Sequence, residues 1–229
     1  MRTAIFIDGA FFLKRLHTLY KNRTDFDLNN AHDIVDELFA ICIRHLSPRQ
    51  KKCDNVEKTD LYRIFFYDCL PIMKKAHFPI SKKPIDFSKT EQAKLRLAIH
   101  EELKKRRKTA LRLGKLQSFG SWAIKKESLE KLLKGEISAD NLQDDDFFYD
   151  VRQKNVDMKI GLDIASVAYK KLSEQIILIS GDSDFVPAAK LARREGIDFI
   201  LDPMFADISP DLFEHIDGLR STCYHKKEK

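Results

Sequence analysis

Two short apolar runs constrain this chain more than any other feature. One is Thr3-Ala4-Ile5-Phe6-Ile7, closed by Asp8-Gly9; the other is Gln175-Ile176-Ile177-Leu178-Ile179-Ser180, closed by Gly181-Asp182-Ser183-Asp184. Each is too short for a buried helix and apolar at successive positions, so neither face is meant for water. Such runs read as strands covered on both sides, as in a parallel sheet. A third run, Leu61–Asp68, is aromatic and β-branched and reads as another strand, ending at Asp68-Cys69-Leu70-Pro71.

Helical periodicity fills the spaces between them. Segments from about Ala10 to Tyr20, Ala31 to Leu46, Asp157 to about Leu172, and Phe185 to Glu195 carry apolar residues at helical spacing. Asp157 is placed to cap its helix, which carries two apolar stripes (Ile160, Ile164 and Val167; Leu162, Ala165, Tyr169 and Leu172), so burial on two faces is expected. Gly196 stops the Phe185 helix, Ile197–Leu201 follows as a strand, and a short helix spans about Pro210–Ile216. Strand and helix alternate, which with right-handed crossovers implies an open, mostly parallel sheet with helices on both faces.

Residues 71–150 change character and read as an elaboration within one domain of 1–229. Pro71, Pro79 and Pro84 prevent a long regular element; Lys89–Lys108 reads as a basic helix; Ala110–Gln117 alternates like a strand. A further strand is expected around Trp122, a short helix at Glu127–Lys134, and a strand at Phe147–Val151, while Ser47–Thr59 reads as a polar loop.

The chain has 229 residues, is 43% hydrophobic and 33% charged, and carries a net charge of +6. This suits a polyanionic partner without requiring one. Cys42, Cys53, Cys69 and Cys223 are far apart and form no CxxC pair, so free thiols in a reducing, cytoplasmic setting are expected. No apolar stretch reaches the roughly 18 residues needed to span a membrane, and the short N-terminal run, interrupted by Asp8, does not read as a signal peptide. The seven histidines show no zinc spacing, and neither a phosphate-binding glycine loop nor a serine elbow occurs.

Function in such sheets gathers beyond the C-terminal ends of the strands. Asp8, Asp182 and Asp184 follow their strands directly, and Asp157 opens the helix leading into the Gln175 strand. Four converging carboxylates repel one another unless a hard cation is shared. Mg²⁺ or Mn²⁺ held this way activates a water and neutralises a scissile phosphate. Each residue also has a plain structural reading: Asp8 and Asp182 as turn formers, Asp157 and Asp184 as helix caps. Asp163, on a face shared with Ile160 and Val167, needs either a place near the site or a basic partner. Asp68 points to the same sheet edge, and for it a turn role is as plausible as a site role.

Three blocks carry a family resemblance: Ala4-Ile5-Phe6-Ile7-Asp8-Gly9; Lys154-Asn155-Val156-Asp157 with Gly161-Leu162-Asp163; and Ser180-Gly181-Asp182-Ser183-Asp184-Phe185. With them the chain resembles NYN-domain (LabA-like) proteins, a branch of the PIN-like nuclease superfamily. The resemblance implies a Rossmann-like, three-layer PIN-type fold and a metal-dependent nuclease acting on RNA. It also implies Asp8, Asp157, Asp182 and Asp184 as metal ligands, with Asp163 as an additional member. Two positions depart from the family pattern: Phe11 stands where many relatives carry Asn, and Asn155 where they carry Gly.

Between Lys94 and Lys126 the only acids are Glu101 and Glu102, and Lys104-Lys105-Arg106-Arg107-Lys108 is the densest cationic run. It is either a solvated face or a phosphate-tracking surface for single-stranded RNA, with Arg112, Phe119 and Trp122 available to stack on bases. Three functions are weighed: a ribonuclease-type phosphodiesterase, a catalytically weak RNA-binding or regulatory module, and an α/β phosphatase. The last wants a second Asp where Ala10 stands. A homodimer is compatible with all three.

Overall fold

The computed structural model describes residues 1–47 and 59–224, so most of the expected 47–59 loop, with Cys53, lies outside the described residues. The first run forms β1 (Arg2–Asp8), followed at once by α1 (Gly9–Tyr20), α2 (Ala31–Leu46) and β2 (Asp60–Cys69). The expected boundaries of α2 hold at both ends, because Asn30 accepts an N–H bond from His32 and caps it.

The proline-punctuated stretch yields only a small hairpin of β3 (Lys75–His77) and β4 (Pro84–Asp86). Then come α3 (Glu91–Lys105), β5 (Thr109–Ile124), α4 (Lys126–Leu133) and β6 (Phe147–Lys154). Two expectations need correction here. The basic helix stops at Lys105, with Arg106 in extended conformation and Lys108 at φ 59°, so only part of the basic run is helical. The strands expected at 110–117 and around Trp122 are one long strand, whose pairing with β6 is irregular between Ser118 and Trp122.

The remainder comprises α5 (Val156–Tyr169), β7 (Gln175–Ile179), α6 (Val186–Arg194), β8 (Asp198–Asp202), α7 (Pro210–Glu214) and the two-residue β9 (Gly218–Leu219). The main sheet has the order β6-β5-β2-β1-β7-β8-β9. Six of its strands run parallel and β6 is antiparallel at one edge. This is an α/β, Rossmann-like three-layer arrangement, consistent with a PIN-like fold.

Alternation along the central strands builds two cores. Ala4, Phe6, Phe65, Tyr67, Ile176 and Leu178 face α5 and α6, whereas Ile5, Ile7, Ile64, Phe66, Ile177 and Ile179 face α1, α2 and α3. Full burial of one such side chain contributes roughly 1.5–3 kcal/mol, so these layers dominate stability. Helix α5 departs from the expectation of burial on two faces. Ile160, Ile164 and Val167 are buried, but Leu162 and Tyr169 of the second stripe are each 63% exposed.

Asn155 caps α5 from the left-handed region, at φ 68° and ψ 10°. Asparagine tolerates this conformation through its short polar side chain, which explains how it replaces a glycine there. Asp157 is therefore not the cap but lies in the first turn. Asn155→Gly is expected to leave the free energy of urea unfolding within about 0.5 kcal/mol of wild type, whereas Asn155→Val costs roughly 1–2 kcal/mol; equal midpoints for the two would contradict the strain argument.

Candidate functional site

Strand order decides where chemistry can sit. From β1 the chain moves outward through β2 and β5, then returns to the other side of β1 with β7, β8 and β9. The order reverses between β1 and β7, and a crevice opens beyond their C-terminal ends. Asp8 ends β1, and Asp182 lies three residues past the end of β7, whose Ile179 pairs with Ile7.

Asp8 caps α1 by accepting N–H bonds from Ala10 (3.0 Å) and Phe11 (3.1 Å). Gly9 is required behind it, because a Cβ there would lie 2.6 Å from the Tyr67 carbonyl oxygen and 2.7 Å from the Phe66 ring. Burial pushes the Asp8 carboxyl up to about 6, and the charges of Asp157 and Asp182 add to the effect. The two N–H bonds oppose the rise without cancelling it. Asp157 is also raised, first by partial burial and then by Asp182 and Asp184. Asp182 accepts the N–H of Asp184 at 3.0 Å and is tied through its own N–H to Ser180 Oγ at 3.3 Å.

Asp8, Phe11, Ser180, Asp182, Asp207 and Ser209 line an open depression of about 340 Å³. Asp157 and Asp184 share its electrostatic field. Phe11 presses its ring on the Gly181 backbone, where a Cβ would come within 2.9 Å of the ring edge. The non-polar residue at this position thus fills space that the SGDSDF turn leaves by having glycine at 181.

Asp207 was not among the residues singled out from the sequence. It lies beyond the end of β8 as Asp182 lies beyond β7, but five residues on, past Pro203, where strand-end counting loses it. Its approach is set by Met204 and Phe205, both in the left-handed region at φ 46° and 58°. That conformation is held by Asp202, which accepts the Met204 N–H at 2.7 Å, and by Arg15, which donates to the Met204 carbonyl at 2.8 and 3.2 Å. Such strain costs on the order of 1–3 kcal/mol per residue, and the surrounding bonds sustain it.

The other candidates are placed elsewhere. Asp163 accepts the Tyr67 hydroxyl at 2.7 Å and faces Arg112 Nε at 3.4 Å, so the basic partner that its position required is Arg112. The same guanidinium lies over the Phe65 ring. Asp68 is fully buried, bonded to Arg96 and, at 2.7 Å, to His100 Nε2. Burial alone would raise its carboxyl, but His100 and Arg96 hold it below the usual carboxylate range.

Lys104, Lys105, Arg106 and Lys108 pair with Glu101, Glu102, Asp36 and Asp60 respectively. Arg107 is exposed and, among the described residues, has no ion-pair partner. The run sits at the N-terminal edge of the sheet, where the Lys108 carbonyl accepts the Ile64 N–H near the start of β2, opposite the carboxylates. Trp122 packs with Phe78, Phe87 and Tyr149 and donates to the His77 carbonyl at 2.9 Å. The Phe119 side chain lies outside the described residues.

Among the described residues no three His, Cys, Asp or Glu side chains are gathered closely enough to hold an ion as they stand. The donor chemistry nevertheless fits a hard divalent cation. Asp8, Asp157, Asp182 and Asp184 are all-oxygen donors, and burial first, then the others' charge, raises two of them, Asp8 and Asp157. No helix among the described residues is long and apolar enough to cross a membrane, and Cys42, Cys69 and Cys223 are buried and free.

No curated protein matches the chain. Residues 136–213 match the family model of the NYN domain, a span that holds Asp157, Asp163, Asp182, Asp184 and Asp207 and leaves out β1 and Asp8. NYN domains are generally nucleases, and PIN-like nucleases typically use divalent metals. That match and the mostly parallel sheet are consistent with an NYN-domain protein of the PIN-like superfamily, a family generally of nuclease type.

Proposed function

We propose that the protein is a metal-dependent phosphodiesterase acting on RNA, with Asp8, Asp157, Asp182 and Asp184 as its metal-binding acids. The observation that supports this most directly is the mutual repulsion of carboxylates at the β1/β7 crevice, which adds to burial in raising Asp8 to about 6. Bound Mg²⁺ or Mn²⁺ would supply an activated water and charge neutralisation at the phosphate. The chain's own part is to hold the acids in place. Asp8 is fixed by the start of α1 and Asp182 by the Asp184 N–H, while the Phe11 ring shields one wall from water. Asp207 and Ser209 line the same depression and add a further acid to it. The same reading takes residues 71–150 as an elaboration on one nuclease domain.

Asp182→Asn keeps the acceptor for the Asp184 N–H but removes the charge, so it should lower Mn²⁺-dependent cleavage of single-stranded RNA by at least ~10²-fold, a loss of about 3 kcal/mol in transition-state stabilisation. Cleavage that survives both this substitution and chelation would rule out the mechanism. A second reading, a catalytically weak RNA-binding module, is favoured by Phe11, which places a ring in the wall of the depression. Tight RNA binding with no turnover across several divalent metals would select it.

A further inference from the structure

Three depressions of about 390, 320 and 790 Å³ adjoin one another along α3, and all three share Gln92. The first begins at Cys69 and Leu70, at the C-terminal end of β2; the second reaches Ala10 and Lys14 on α1, two and six residues past Asp8; the third extends to Lys21. They form one groove from the strand ends around the start of α3. Leu13, Leu28, Leu95 and Ile99 make its middle apolar. Arg96 lies where the first two depressions meet, its guanidinium set by buried Asp68.

The charges on its rim differ from those of the basic run. Among the described residues, Lys14 and Lys21 are exposed and have no ion-pair partner. Lys94 pairs with Glu91, the groove's acid. At the far end of α3, four of the five residues Lys104–Lys108 are already paired, and they lie at the sheet edge away from the carboxylates.

We infer that this groove, and not the Lys104–Lys108 run, is the track for a single-stranded nucleic acid leading to the acidic crevice. Unpaired bases lie on the apolar floor, which a duplex with its bases stacked inside could not use, and phosphates meet Lys14 and Lys21. The inference rests on the nuclease reading above, and its test separates the two.

The probe is a short fluorescent oligouridine, titrated with Asp182→Asn protein in chelator over a range of salt, with fluorescence anisotropy as readout. Lys14→Glu/Lys21→Glu in that background should weaken binding by roughly tenfold or more and lower the slope of log K against log salt by about 1.4, as two lost phosphate contacts on a single strand require. Lys104→Glu/Lys105→Glu should change neither. An unchanged affinity in the first pair, a loss only in the second, no binding of oligouridine at all, or preference for an RNA duplex of equal length overturns the track. Self-association of the protein that Leu95→Lys abolishes does so too, because a second copy would then fill the groove. If wild type shows metal-dependent cleavage while the first pair binds normally, the track falls and the nuclease reading stands. If no cleavage occurs with any metal while the first pair loses binding, the reverse holds.

Discussion

Asp8→Asn is expected to make the metal-free protein more stable at pH 7 while abolishing its cleavage. In the fold the Asp8 carboxyl keeps its proton up to about pH 6, against a usual aspartate value near 4 in an unfolded chain. Between those values the native state binds the extra proton, so stability falls as pH rises from about 4 to about 6 and stays lower above it. Two pKa units correspond to about 3 kcal/mol. The substituted side chain would still accept the N–H bonds from Ala10 and Phe11 and would no longer repel Asp157 and Asp182. Thermal unfolding at pH 7 in chelator should therefore show a melting temperature about 5–10 °C higher for the variant, with the difference gone at pH 4. Added Mn²⁺ should reverse the order, raising wild type and leaving the variant nearly unmoved. A variant melting at or below wild type in chelator at pH 7 would mean that Asp8 is held ionised by something other than a cation.

How much of this was legible in the residues follows from which physics each feature uses. Apolar runs such as Ile176–Ile179 carry their burial on their face, so strands, helices and the α/β arrangement could be read directly. Acids directly after strands, such as Asp8 and Asp182, are expected at one sheet edge by the same reasoning; Asp157, expected as a helix cap, lies in the first turn of α5 and still acts on Asp8 through its charge. Position along the chain says nothing about partners. Asp68 is bonded to Arg96 and His100, and Asp163 is paired with Arg112 and accepts the Tyr67 hydroxyl, partners that come from distant elements. Density of charge misleads for the same reason: the Lys104–Lys108 run is conspicuous, but its charge is mostly answered by acids that sequence does not place beside it. Asp207 is hidden because its position depends on two left-handed residues held by Arg15 and Asp202.

Asp68→Ala provides the opposite case to Asp8 and should cost about 3–5 kcal/mol, because it strands a buried imidazole and a mostly buried guanidinium. His100 Nδ1 is already buried without a hydrogen-bond partner, so the Asp68 contact at Nε2 is the one side-chain hydrogen bond of this ring among the described residues. Substitution leaves His100 with neither ring nitrogen satisfied by it. The urea midpoint should drop at pH 7 whether or not divalent cations are present, since the partners are protein groups. The pH dependence has the other sign from that of Asp8. A carboxyl held below its usual range contributes stability above about pH 4, lost as pH falls through its lowered folded value, so wild type and Asp68→Ala should converge in acid. Replacing the charges together, as Asp68→Leu/Arg96→Met/His100→Phe, should recover much of the loss, because a packed apolar cluster carries no desolvation cost. If Asp68→Ala unfolded at the wild-type midpoint in chelator but lost a Mn²⁺-dependent stabilisation, Asp68 would belong with the metal-binding acids and the Arg96–His100 contacts would be secondary.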